Sequence, residues 1–154
     1  MNRLLTTLVL LLTIAACGGS DSPTGPGGGG PHNGSFTATI DGTNWAATAI
    51  TPALTQVPGG FSAIGAGSPT FTVAFAWPEQ GTGTYTIGQA IGMNANLSMG
   101  GSMWTTTPSG GGGTLTITTR TATQVSGTFS FTMVGVTGTT GTRAVTNGAF
   151  TITF

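Results

Sequence analysis

The chain has 154 residues and a formal net charge of zero, with 4% charged residues, 28 glycines, one histidine and one cysteine. Thirty-three residues are threonine and none is lysine. Soluble domains usually carry about 25% charged residues, and three arginines neutralise too few phosphates for nucleic-acid binding. Three acidic residues, one histidine and one cysteine also leave little material for acid–base, thiol or metal chemistry.

The first element is a leader, MNRLLTTLVLLLTIAAC. Arg3 supplies a positive start, and the apolar run Leu4 to Ile14 is shorter than the roughly 20 residues a spanning helix needs. This order is that of a secretory signal peptide, predicted over residues 1–16. Its end, Ile14-Ala15-Ala16-Cys17, resembles the lipobox of bacterial lipoproteins. The resemblance implies that the Cys17 thiol accepts a diacylglyceryl group, that cleavage falls before it, and that the new amine is acylated. Several acyl chains hold a protein firmly, since each buried methylene adds about 0.8 kcal/mol. By the same resemblance, Gly18 in the place where an aspartate would retain a lipoprotein at the inner membrane implies sorting to the outer membrane. The predicted location is therefore the bacterial cell envelope, with the membrane itself as one partner.

Residues 17–34 continue as the lipidated cysteine and a Gly/Pro-rich stretch, GGSDSPTGPGGGGPHNG. It has no side chain able to pack, so the reading is a flexible tether, with a root-mean-square reach of roughly 20–25 Å. His32 lies in it and has no neighbouring ligand to share a metal.

From Ser35 to Phe154 the hydrophobic pattern has period two. Phe36, Ala38 and Ile40 alternate with threonines, and Asp41-Gly42-Thr43-Asn44 reads as a turn before an extended Trp45 to Thr51. Phe61 to Ala66 is a weaker run, whereas Phe71, Val73, Phe75 and Trp77 alternate cleanly within Thr70 to Trp77. Short strands are predicted at Thr84 to Ile87, Met93 to Met99 and Met103 to Thr106, then a glycine loop at Gly110 to Gly113. Leu115 and Ile117 alternate with threonines, as do Val125, Phe129, Phe131 and Met133. Gly135 to Gly141 reads as a loop, Asn147-Gly148 as a two-residue hairpin, and Phe150, Ile152 and Phe154 share a closing face. The expected fold is all-β: an antiparallel β-sandwich or closed barrel of roughly ten short strands. Threonine suits the outward positions, being β-branched and polar at once.

The segments FTATIDGTNWAA, ITTRTATQVSGTFSFTM and VTNGAFTITF, in that order, resemble a group of small bacterial lipoproteins carrying a domain of unknown function. The resemblance implies an antiparallel β domain on a lipid anchor and carries no catalytic residue with it.

Asp41 and Glu79 are the domain's carboxylates, read as a turn acceptor and a solvated loop residue. A nucleophile needs a base, and the domain beyond Ser35 has neither histidine nor lysine. No enzyme activity, cofactor or metal site is expected. The favoured function is a non-catalytic binding or structural module with an envelope protein or glycan as partner, and Trp104 is the candidate exposed binding aromatic. One alternative is a lipocalin-like carrier of an apolar ligand lined by Met93, Met99, Met103 and Met133. A second alternative is an integral outer-membrane barrel, against which the short strand runs argue.

Overall fold

The computed structural model describes residues 33–54, 60–136 and 138–154. The leader, Cys17, His32 and the tether up to residue 32 lie outside the described residues. Eleven strands follow in order: β1 (Asn33–Ile40), β2 (Thr43–Ala46), β3 (Ala49–Ala53), β4 (Phe61–Gly67), β5 (Thr72–Pro78), β6 (Gly83–Ile87), β7 (Ala95–Met99), β8 (Ser102–Thr105), β9 (Gly112–Arg120), β10 (Gln124–Val136) and β11 (Thr142–Thr153). All pairings are antiparallel, and no helix occurs among the described residues.

The all-β expectation holds, with hydrogen bonds joining the strands into one open sheet. Its main order is β2-β1-β11-β10-β8-β7-β5-β4-β3, and a branch runs from β10 through β9 to β6. The branch arises because β10 is 13 residues long. Its first part pairs with β9 and its last three residues pair with β8. At the other corner β2 and β3 are nearly one strand with a bend. Ala47 N–H donates to Phe36 O (2.9 Å) while Thr48 N–H donates to Gly67 O (2.8 Å), so consecutive residues serve opposite sides of the bend.

The sheet is folded over on itself. β1 and β5 are five strand spacings apart along the path, which is about 24 Å on a flat sheet. Yet the rings of Phe36 and Phe75 stack with centroids 5.8 Å apart. Strands that pass from one layer to the other at corners give this two-layer packing. Between the layers lie Phe36, Phe75, Trp77, Phe129, Phe131 and Phe150, all buried, with neighbouring ring centroids 5.0–6.3 Å apart. Outward positions carry the threonines, and some bond across strands, as Thr84 does to Thr116 (3.0 Å) and Thr118 to Ser126 (3.1 Å).

Among the boundaries that differ from the sequence reading are the starts of β1 and β2. β1 begins at Asn33, two residues inside the predicted tether, because Gly34 passes close to Thr151 on β11. A Cβ there would lie 2.2 Å from the Thr151 carbonyl oxygen. Asp41-Gly42 alone forms the first turn, both residues having positive φ (48° and 83°). That is the two-residue geometry an Asp-Gly pair favours between antiparallel strands, and Ile40 pairs directly with Thr43.

Asn147-Gly148 is no hairpin. It sits inside β11 as a bulge: the register slips by one residue against both β10 and β1 at this point. Asn147 takes φ 50°, which asparagine tolerates for the same reason it suits turns. Gly148 is opposite Phe129, whose ring would lie 2.4 Å from an added Cβ. Gly148→Ala is therefore expected to displace Phe129 and cost about 1–3 kcal/mol, as overpacking does. Urea unfolding measures it, and an unchanged midpoint would show that the ring moves freely.

Candidate functional site

The charged side chains of the described residues come in two clusters, one on each of two strand-end corners. The first grows from the β1–β2 turn. Asp41 accepts from Ala144 N–H (2.9 Å) on β11 through Oδ1, and from Arg143 Nη1 through Oδ2. Asp41 N–H in turn donates to Ala144 O (2.9 Å). Burial pushes the Asp41 carboxyl up, but the Ala144 N–H and the Arg143 guanidinium outweigh it and hold the group below the ordinary carboxylate value. Asp41 does accept a backbone N–H, but its donors come from 102 and 103 residues away on β11 rather than from its own turn, which corrects the reading of a local turn acceptor.

Arg143 also covers Trp104, with the guanidinium carbon 4.7 Å from the ring centroid. This corrects the reading of Trp104 as an exposed aromatic: it is 4% exposed. Its neighbours Met103 and Thr105 alternate outward, so period two places the indole on the inner face of β8, where Arg143 closes over it. An arginine face on an indole is a favourable contact in its own right.

The second cluster lies where β5 ends. Glu79, expected in a solvated loop, is instead buried: its side chain is 8% exposed and pairs with Arg120 Nε at 3.2 Å. Ser62 Oγ, fully buried on β4, donates to the same Oε2 at 2.6 Å, and Gly81 N–H donates to Oε1 at 3.3 Å. Arg120 Nη1 donates to Thr121 O (2.9 Å). Tyr85 stands beside this group with its hydroxyl donating to Gly81 O (2.8 Å). Burial first, and then the Glu79 charge, push its phenol above the ordinary value. Sequence reasoning missed this cluster because Glu79 follows Trp77-Pro78, a pattern that signals a strand end and nothing about burial. The available signal was scarcity: in so uncharged a chain a carboxylate near two core strands needs a partner.

Trp45 is half-buried, its edge on Phe36 (5.9 Å, 84°) and its Nε1 donating to Ser68 Oγ (2.8 Å). On the outer face of the same strands is a depression of about 540 Å³, lined by Thr37, Thr39, Asn44, Trp45 and Asn147. Of the methionines proposed as a ligand lining, Met133 is buried, Met93 and Met99 pack at the core margin, and Met103 is 41% exposed. No group of three or more His, Cys, Asp or Glu side chains able to hold a metal occurs among the described residues.

These features define an antiparallel β domain with an aromatic interior and two ion pairs that fasten strand ends from distant parts of the chain. Residues 32–152 match the family described as Domain of unknown function (DUF6252), and the chain belongs to that family. No curated protein and no solved structure matches the chain.

Proposed function

We propose that this DUF6252 protein is a lipid-anchored component of the bacterial cell envelope whose domain binds or scaffolds a partner without catalysis. The observation that carries the anchor is the run Ile14-Ala15-Ala16-Cys17 after an apolar leader. A non-catalytic role is supported by the use of the charges: Asp41 with Arg143 and Glu79 with Arg120 are each occupied in holding strands together. The carrier reading has less support, since aromatic rings fill the space between the layers. The depression lined by Asn44, Asn147 and threonine hydroxyls offers donors and acceptors that suit a glycan or a polar protein surface. With two internally matched ion pairs, a partner is met through contact shape rather than long-range attraction.

Cys17→Ser removes the thiol that would take the lipid. The expected result is a heavier, unprocessed precursor that keeps its leader and takes up no labelled fatty acid. Processing and fatty-acid labelling like those of the parent protein would overturn the anchor.

A further inference from the structure

We propose that the end of the domain from which the tether emerges is a membrane-contact face, with Phe61, Ile91 and Phe154 entering the bilayer interface. This inference rests on the lipid anchor at Cys17.

Four large apolar side chains are exposed among the described residues: Phe61 (51%), Ile91 (99%), Met103 (41%) and Phe154 (44%). A chain of contacts ties three of them to the place where the tether joins. Asn33, the first described residue, pairs with Thr153, and Thr153 pairs with Gln124. Phe154 N–H donates to Thr123 O (3.0 Å) in the turn that connects β9 to β10. Arg120, at the start of that turn, reaches Glu79, and Glu79 N–H donates to Gly60 O (2.8 Å), next to Phe61. The Phe61 ring lies over Gly92, so close that an added Cβ would sit 2.5 Å from it, and Ile91 is the next residue. Met103 is elsewhere, paired with Val136 at the opposite end of β10.

An isoleucine almost wholly exposed beside a half-exposed phenylalanine is costly in water, since each such side chain gains by leaving it. The bilayer is the occupant favoured by three observations. The tether from Cys17 to Asn33 spans at most roughly 55 Å, so the end it leaves from stays near the membrane. No lysine or arginine other than Arg120 lies in this contact chain, and Arg120 pairs with Glu79, so the side chains of this face bring no unmatched charge to the interface. Finally, a short apolar tip held at an interface needs few residues when an acyl anchor already supplies the affinity.

The test uses the full chain, anchored in phosphatidylcholine vesicles that contain a nitroxide-bearing lipid. Cys17 is the only native cysteine, so once acylated it leaves Ile91→Cys as the single free thiol for a fluorophore. Met103→Cys is the matched control at the opposite end. The expected result is strong quenching by the lipid nitroxide at position 91 and little at position 103, with a blue-shifted emission only at 91. Equal or absent lipid quenching at both positions, in protein that still floats with the vesicles, overturns the face and leaves the anchor standing. Quenching at 91 by an aqueous agent combined with concentration-dependent self-association points to a second copy instead, and also overturns it. Protein that fails to float, with Cys17 taking the label, removes the anchor and this proposal together.

Discussion

Phe75→Ala is expected to destabilise the domain by about 3–5 kcal/mol, the range for deleting a buried aromatic ring. For a domain of this size that corresponds to a fall in Tm of roughly 10–20 °C. Phe75 is 2% exposed on β5 and touches rings on β1, β10 and β11 across the interior. The centroid distances to Phe36, Phe129, Phe131 and Phe150 are 5.8, 5.1, 5.7 and 5.6 Å. It is thus the side chain through which the two layers meet, and edge or offset contacts of this kind add to simple burial. Phe75→Leu, which keeps most of the volume, should lose less. Thermal and urea unfolding of both variants check this. Equal, small losses would mean that the layers do not pack through position 75.

Breaking the buried ion pair is the second large effect. Arg120→Met leaves the Glu79 charge buried with the Ser62 hydroxyl and Gly81 N–H as its remaining donors. An uncompensated buried charge costs about 3–5 kcal/mol. Removing both charges with Glu79→Leu and Arg120→Met should cost clearly less than the sum of the single changes, because apolar replacement of a whole buried pair is often near neutral. A double-mutant cycle measures the coupling. Strictly additive losses would show that the two side chains act independently.

Much of this fold was legible because strand periodicity is a local signal. Val73, Phe75 and Trp77 were placed on one inward face by alternation alone, and all three are buried. The same holds for Val125, Phe129, Phe131 and Met133. What alternation cannot supply is which strands become neighbours. Nothing near Glu79 announces that Arg120, 41 residues later, will close over it. Asn147-Gly148 misled for a related reason. Asparagine with φ 50° serves a hairpin and a bulge equally, and only the strands on either side decide between them. Gly112 and Gly113, read as loop, begin β9. There an added Cβ on Gly113 would meet Ser130 O at 2.0 Å, a close approach that sequence does not reveal. Trp104 was misplaced because its threonine-rich surroundings look like surface, while the residue that covers it comes from β11.

Native mass spectrometry of the detergent-released protein bears at once on both parts of the proposal, a solid β domain and a lipidated Cys17. The predicted result is one mature chain beginning at Cys17, heavier by covalent diacylglyceryl and acyl groups and retaining no further small molecule. A chain that begins elsewhere without lipid, or one that keeps a stoichiometric apolar ligand after detergent removal, would contradict it.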